Sequence, residues 1–293
     1  MPYTPKTALL GTGTMGVGMA HSLLRAGLPV TVWNRHPEKA ASLADDGATV
    51  AESLEEALRG AEVVVTMLFD ADSVAEVMEQ ALPAFEPGTV WVQTTTVGRD
   101  GIARLAELAK THGVPFYDAP VVGTKQPAED GKLTVLAAGP EATRDAVQPV
   151  LDAIGAKTVW LGEEAGPASA LKLVANSWVA TITAGTAFGI AQTRAFGLDP
   201  ARFLETISGG AADSPYLQTK GRAIVEDRTD DPQFALDGLR KDLGLIRDAD
   251  EAAGVPTVLV DALLAAYGTA ADRGRGGSDV AAVVAAFEAD RDA

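Results

Sequence analysis

Two groups of residues in this chain have the types and spacing to do chemistry. The first is the run Gly11-Thr12-Gly13-Thr14-Met15-Gly16, a G-x-G-x-x-G pattern. The first glycine permits a tight turn, the second lets a pyrophosphate approach the backbone, and the third lets a helix pack closely on a strand. The helix that follows offers unpaired N–H groups and the positive end of its dipole to phosphate oxygens. The pattern alone is common, so its meaning depends on a strand before it and a helix after it. The second group is Lys172 and Asn176, set among apolar neighbours in Leu171-Lys172-Leu173-Val174-Ala175-Asn176. Their spacing of four places both on one face of a helix. An ammonium sheltered from water becomes a usable proton donor near neutral pH. Hydride addition to a carbonyl leaves an alkoxide that needs one proton, and Lys172 has the chemistry to supply it. Asn176 would hold either the lysine or the substrate oxygen. Taken by itself, Lys172 also reads as a helix lysine that snorkels to solvent or pairs with an acid.

The residues ending the second predicted strand bear on which dinucleotide binds. An NAD-binding fold usually places Asp or Glu there to accept hydrogen bonds from ribose hydroxyls. Here the strand ends in Trp33-Asn34-Arg35, a neutral amide followed by a guanidinium. A carboxylate would repel a 2′-phosphate, whereas a guanidinium binds one with charge-assisted bonds. NADP is therefore expected over NAD, read by Asn34 and Arg35 with Lys39 and His36 nearby. The alternative is that Arg35 is a solvated surface residue.

The elements needed to position these groups are legible. Strand candidates are Ala8–Gly11, Val30–Trp33, Val63–Leu68, Val90–Gln93, Phe116–Asp118, Thr134–Ala137 and Thr158–Leu161. Helical patterns such as Gly16–Ala26, Ser53–Leu58 and Arg99–His112 lie between them, the alternation of a parallel sheet covered by helices. Ser53 with Glu56 forms a capping box that starts one helix. After Gly162 no strand is expected, and helices run over Gly166–Phe196, Pro200–Ser208, Pro215–Val225, Leu236–Ala253, Pro256–Asp272 and Asp279–Ala289, punctuated by Gly197, Pro200, Gly254 and Pro256. The expected architecture is α/β: an NADP-binding Rossmann domain over residues 1–164, then an all-helical substrate and dimerisation domain over 165–293, joined by a long interdomain helix. The apolar stretch Ala168–Gln192 is long enough to resemble a membrane span. Lys172, Asn176 and several threonines interrupt it, so a buried interdomain helix is expected instead.

Composition narrows the classes further. The 293 residues carry 47% hydrophobic and 22% charged side chains, which fits a globular protein with a sizeable core. Forty acidic against 24 basic residues give a net charge of −16, which disfavours nucleic acid or an anionic membrane as partner. An anionic substrate would need a local positive pocket. The absence of cysteine excludes disulfides, thiolate metal sites and cysteine nucleophiles. It also fits a cytoplasmic location, as does a start, Met-Pro-Tyr-Thr-Pro-Lys, without the apolar core of a signal peptide. Three scattered histidines, His21, His36 and His112, make no ligand cluster, and no metal is expected.

The chain resembles the β-hydroxyacid dehydrogenase family, which includes 3-hydroxyisobutyrate dehydrogenases and glyoxylate/succinic semialdehyde reductases. The matching segments are the Gly11–Gly16 run, Asp118-Ala119-Pro120-Val121, the Gly166…Lys172…Asn176 helix and Lys241-Asp242-Leu243, in the family's order across nearly the whole chain. The stretch Gly123-Thr124-Lys125-Gln126-Pro127-Ala128-Glu129-Asp130-Gly131 and the Trp33-Asn34-Arg35 turn are similar to the glyoxylate/succinic semialdehyde reductase branch. The resemblance implies that Lys172 is catalytic, with Asn176 its companion near the substrate. It places Thr95 near nicotinamide and substrate, Lys241 against the cofactor, and Phe234 and Asp242 along the substrate cleft; Leu68 is expected among the cofactor-binding residues as well. Dimers or tetramers are implied as well, and the long apolar helix suits them. One residue departs from the pattern. The family's strand-turn reads Asp-Ala-Pro-Val-Ser-Gly, with the serine hydroxyl and the following N–H on the substrate carboxylate, and this chain has Val122 in place of the serine. Val122, Gly123 and Thr124 then form the substrate turn, with part of the carboxylate anchor missing and a backbone N–H at Gly123 or Thr124 left to serve.

The activity implied is NADPH-dependent, reversible hydride transfer to a small aldehyde or oxo acid. An imine reductase is the nearest rival. Lys172 argues against it, because those enzymes usually carry Asp or Tyr there, and the loss of serine at Val122 argues for it. A non-catalytic NADP-binding scaffold is the rival of another class, and its expected signature would be loss of the lysine.

Overall fold

Runs that are apolar at nearly every position, rather than at alternate ones, suit parallel strands buried on both faces. In the computed structural model, which describes residues 3–288, such runs form a six-stranded parallel sheet. Its strands are β1 (Thr7–Leu10), β2 (Val30–Trp33), β3 (Thr49–Val50), β4 (Val63–Thr66), β5 (Val90–Gln93) and β6 (Phe116–Asp118), in the order β3-β2-β1-β4-β5-β6. Thr7 lies beside both Val30 and Val63, and Val63 beside Val90. Helices α1 (Thr14–Arg25), α2 (Leu54–Leu58), α3 (Ala71–Ala81) and α4 (Gly98–Thr111) lie between successive strands.

Successive side chains of a strand point to opposite faces, and this builds two separate cores. Leu9, Val32, Val65 and Val92 pack with Met19 and Leu23 of α1 on one face. Ala8, Leu10, Val64 and Trp91 pack on the other with Val74 and Met78 of α3 and Ile102 and Leu105 of α4.

Two predicted strands belong elsewhere. The segments expected at Thr134–Ala137 and Thr158–Leu161 are β8 (Leu133–Ala137) and β9 (Gly155–Trp160), and they form a second, three-stranded sheet with β7 (Val121–Val122). In it β7 runs antiparallel to β8, and β8 parallel to β9. Strands β3 and β7 are two residues long, too short for any alternation to show in the sequence. Helix α5 (Lys125–Glu129) sits between β7 and β8, and α6 (Arg144–Ile154) between β8 and β9. The Ser53 cap is present, since its hydroxyl accepts from the Glu56 N–H at 3.1 Å. The return bond of the box is displaced by one residue, with the Glu56 carboxylate accepting from the Glu52 N–H at 2.9 Å.

The chain divides into two compact units after Lys172. Helix α7 (Pro167–Ala195) opens within the first and continues into the second. The second unit also contains α8 (Ala201–Ile207), α9 (Pro215–Val225), α10 (Leu236–Ala253) and α11 (Val258–Ala270). Helix α11 stops short of the expected Asp272, in a distorted turn over Ala271–Arg275, with Gly274 at φ +80°. The last expected helix is a tighter 3₁₀ segment, Val280–Phe287, and Ala289 lies outside the described residues. Their shared core includes Ala180, Ala187 and Ile190 of α7, Leu239 and Leu243 of α10, and Tyr267 of α11.

Helix α7 is not buried throughout, as the sequence had suggested. It is the one helix among the described residues long and apolar enough to cross a membrane, and 44% of its most apolar window is buried. Val174, Trp178 and Phe188 are exposed on one face of it.

Candidate functional site

The glycine run bends between β1 and α1, at the carboxyl end of the sheet. Open parallel sheets bind ligands beyond that end, where the strand order reverses, and here that is between β1 and β4. Each glycine has a separate task. Gly11 has φ +109°, and a Cβ there would overlap the Met67 carbonyl and the Leu68 side chain. A Cβ on Gly16 would overlap the Gly11 carbonyl, so α1 can lie this close only without a side chain. Gly13, by contrast, has nothing within 4 Å of such a Cβ and is exposed. Its bareness meets no need of the protein's own packing, which fits a position kept clear for a ligand. Thr14 opens α1, and Met15 packs against the adjacent core.

Asn34 ties the end of β2 to this loop. Its amide Nδ2 donates to Thr12 Oγ1 at 2.8 Å, and its Oδ1 accepts from the His36 N–H at 2.9 Å. Arg35 and Lys39 are not enclosed. The Arg35 Nη1 stands 3.7 Å from Glu76 Oε2 of α3, with both side chains mostly exposed. Such a pair is worth at most about 1 kcal/mol, so the guanidinium can turn to another anion at little cost. A neutral amide and a loosely held guanidinium, with no carboxylate at the end of β2, fit a dinucleotide carrying a 2′-phosphate.

Thr95 follows β5 and is buried. Its Oγ1 accepts from the Leu68 N–H at 2.8 Å, and its own N–H donates to Gln93 Oε1 at 2.7 Å. The threonine therefore clamps the backbone after β4 to that after β5, and holds Leu68 beside the glycine loop.

On the smaller sheet, Val122 packs against Leu136, Ala138 and Ala168, with Val159 and Leu161. This apolar cluster accounts for a valine there and leaves no hydroxyl to offer a ligand. Gly123 has φ +144°, and a Cβ on it would overlap Leu133. Thr124 is the N-cap residue of α5.

Lys172 is the last residue of the first unit, only 7% exposed, and Asn176 one turn on along α7 is 2% exposed. Within the second unit the structure joins three of the residues singled out in the sequence. Asn176 Nδ2 donates to Asp242 Oδ2 at 2.6 Å, and Lys241 Nζ lies 2.8 Å from Asp242 Oδ1. That ammonium contact is an ion pair outside hydrogen-bond directions, since Oδ1 accepts no hydrogen bond from the described residues. Asp242 is buried, and its visible role is to fix the orientation of the Asn176 amide. Phe234 is half-buried against the helical core, with its backbone N–H directed at Asp279 Oδ2 at 3.4 Å.

Three further groups have no role assigned from the sequence, although Asp118 opens the Asp118-Ala119-Pro120-Val121 segment. Asp279 and Lys220 form a buried ion pair at 2.7 and 2.8 Å, and Asp279 also accepts from the N–H groups of Gln233 at 3.0 Å and Ala281 at 3.0 Å. It thereby pins the segment bearing Phe234. Asp118 receives three hydrogen bonds from the start of α7. Lys220 and Asp279 are 59 residues apart, and Asp118 is 48 and 51 residues from its partners; a charged residue in the sequence carries no sign of such a mate.

Comparison with known proteins identifies the chain. Residues 6–162 match the family model for the NAD binding domain of 6-phosphogluconate dehydrogenase, and residues 166–287 match that for the NAD-binding region of NADP-dependent 3-hydroxyisobutyrate dehydrogenase. Glyoxylate/succinic semialdehyde reductase 2 of Arabidopsis thaliana, a chloroplastic protein, is 33% identical over 289 residues, covering 98% of this chain and 80% of that one. The chain belongs to the β-hydroxyacid dehydrogenase family. It is an NAD(P)-dependent oxidoreductase acting on the CH–OH/C=O couple, with NADP as cofactor. The 3-hydroxyisobutyrate dehydrogenase of Salmonella typhimurium has a TM-score of 0.88 to it at 27% identity, covering 95% of this chain and 98% of that one. An imine reductase from Pseudomonas sp. has a TM-score of 0.61 at 24% identity, covering 98% of this chain and 100% of that one, a likeness of fold alone.

Proposed function

We propose that this member of the family is an NADPH-dependent reductase of small aldehydes or oxo acids, reversible as a hydroxyacid dehydrogenase, with Lys172 as general acid. The observation that carries the proposal is the burial of Lys172 one turn before an equally buried Asn176. A buried ammonium gives up its proton more readily than a solvated one. Bound NADPH supplies a hydride to the carbonyl carbon. Lys172 gives its proton to the carbonyl oxygen, is left as a neutral amine, and regains a proton from solvent. In the reverse direction the neutral amine takes the hydroxyl proton. Asn176, its amide oriented by Asp242, holds the polar groups around the lysine in register.

The backbone of the Gly11–Gly16 loop would hold the pyrophosphate, and Arg35 with Lys39 the 2′-phosphate. Residues 1–164 then serve as the NADP-binding domain, and 165–293 as the substrate and dimerisation domain. Val122 narrows the substrate. With a methyl-bearing side chain in an apolar cluster, Val122 offers a carboxylate no hydroxyl, which leaves the turn's backbone N–H groups and the Thr124 hydroxyl as donors. An aldehyde with an apolar or weakly anchored tail suits it better than a compact dicarboxylate. The same residue favours a second reading, reduction of C=N bonds, which Lys172 disfavours. The exposed face of α7 through Val174, Trp178, Thr181, Gly185 and Phe188 follows the helical repeat, and we assign it to contact with a second copy in a dimer or tetramer.

The test follows NADPH or NADH oxidation against glyoxylate, succinic semialdehyde, other short oxo acids and a cyclic imine, with Lys172→Ala in parallel. Turnover of an oxo compound with NADPH is expected, lowered about 10²–10⁴-fold in the variant, the range for losing a general acid. A variant that retains wild-type kcat would remove Lys172 from the chemistry, and turnover of the imine alone would replace the substrate class. Trp178→Glu should reduce the mass in solution to that of one chain. An unchanged mass removes this face from the interface.

A further inference from the structure

We propose that Asp118 is a positioning residue for Lys172, anchoring the first turn of the lysine's helix to the parallel sheet. The inference rests on the reading of Lys172 as general acid and adds to it a residue with no assigned role.

The first N–H groups of any helix lack partners within the helix, and a neighbouring side chain usually caps them. Helix α7 has no such local cap. The residue before it is Gly166, with φ +123° and no side chain. The cap comes instead from Asp118, 48 residues earlier, at the end of β6. Its Oδ2 accepts from the Gly166 N–H at 2.9 Å and from the Ser169 N–H at 2.9 Å, and its Oδ1 accepts from the Ser169 hydroxyl at 2.7 Å.

The anchor is itself held fast. Asp118 is completely buried, and its backbone exchanges both hydrogen bonds with Ala138, each 2.9 Å long. Burial pushes its carboxyl up from the usual range, while the bonds from Ser169 and Gly166 draw it back. Every contact is one in which the carboxylate accepts, which is the pattern of an ionised group. A local Asp or Ser would cap the helix equally well but would not tie it to the sheet that carries the dinucleotide loop. Asp118 does both.

Ser169 precedes Lys172 by three residues, about 4.5 Å along the axis at the usual helical rise. The carboxylate thus fixes the turn immediately before the lysine. A proton donor displaced by about 1 Å can lose on the order of 10²-fold in rate. Further along, α7 is held by its own packing, so loss of the anchor should loosen the first turn and leave the remainder in place.

The experiment compares Asp118→Asn, Ser169→Ala and Lys172→Ala with wild type, using glyoxylate and succinic semialdehyde as probes and following kcat, KM, NADPH affinity and backbone amide exchange. Asn has the size of Asp but cannot accept all three bonds. Asp118→Asn is expected to lower kcat by about tenfold or more while KM and the NADPH Kd stay within about threefold, with faster exchange confined to residues 168–172. Ser169→Ala keeps both backbone bonds and should lose less. Wild-type kcat in Asp118→Asn overturns the proposal. So does a loss of kcat accompanied by weakened NADPH binding and faster exchange throughout the parallel sheet, because that is general damage. If Lys172→Ala keeps its activity, the lysine reading itself falls. If Lys172→Ala is inactive and Asp118→Asn is not, the lysine stands and the anchor falls.

Discussion

The bare position at Gly13 makes a prediction in which stability and binding separate. Gly13 is the N-cap residue of α1, at φ −76° and ψ −172°, an extended conformation open to any residue. An added Cβ would meet no atom within 4 Å. Two small effects on the free protein oppose each other. Alanine reduces the freedom of the unfolded chain, a gain of about 0.4–1 kcal/mol. It is also a poorer N-cap than glycine, a loss of similar size. The Tm of Gly13→Ala without cofactor should therefore stay within about 3 °C of wild type, at roughly 2–4 °C per kcal/mol for a unit of this size. Binding should suffer strongly. A methyl group between loop and pyrophosphate lengthens one or two charge-assisted bonds worth about 1.5–3 kcal/mol each, weakening the NADPH Kd by about 10–100-fold. Gly16→Ala reverses the order. Its Cβ would overlap the Gly11 carbonyl, and overpacking of about 3 kcal/mol exceeds the roughly 1 kcal/mol that alanine gains in a helix. A fall in Tm of about 4–8 °C follows. Thermal melts without cofactor and a fluorescence titration with NADPH measure both quantities. The reasoning is refuted if Gly13→Ala binds NADPH as wild type does, or if it melts as early as Gly16→Ala.

Arg35→Ser should weaken NADPH by about tenfold or more, the worth of a charge-assisted bond, and leave NADH nearly unchanged. Equal effects on the two cofactors would show that Arg35 does not read the 2′-phosphate. Lys220→Met strands the buried carboxylate of Asp279, and breaking such a pair costs about 3–5 kcal/mol. The N–H groups of Gln233 and Ala281 still bond to Asp279, which places the loss near the lower figure. A urea unfolding curve showing less than about 1 kcal/mol of loss would contradict this. Burial pushes the Tyr216 hydroxyl from 10.0 up to about 12. The folded state thus holds this proton more tightly than the unfolded chain, so the stabilisation is complete below pH 10 and is lost as pH rises through about 12. Wild type should lose stability over that window more steeply than Tyr216→Phe. Some slope should remain, because Tyr267 is also raised by burial. Identical slopes would remove Tyr216 from the account.

Features that depend on short-range geometry were legible in the sequence. The glycine spacing specified a strand-turn-helix, because each glycine answers a constraint within a few residues. The strands Val30–Trp33, Val90–Gln93 and Phe116–Asp118 and the helices Pro215–Val225 and Leu236–Ala253 were read to the residue, since their patterns are long or sharply bounded. The pairing of Lys172 with Asn176 on one helix face follows from the helical repeat alone. Tertiary structure decided whatever depends on residues distant along the chain. It moved β8 and β9 out of the parallel sheet, because strand composition carries no record of which neighbour a strand will pair with. It paired Asp242 with Asn176 across 66 residues, and Lys220 with Asp279 across 59. It placed the carboxylate of Asp118 at the start of α7. A charge in a sequence does not name its counterion. Burial makes leaving it alone too costly, but only the folded chain determines which group answers it.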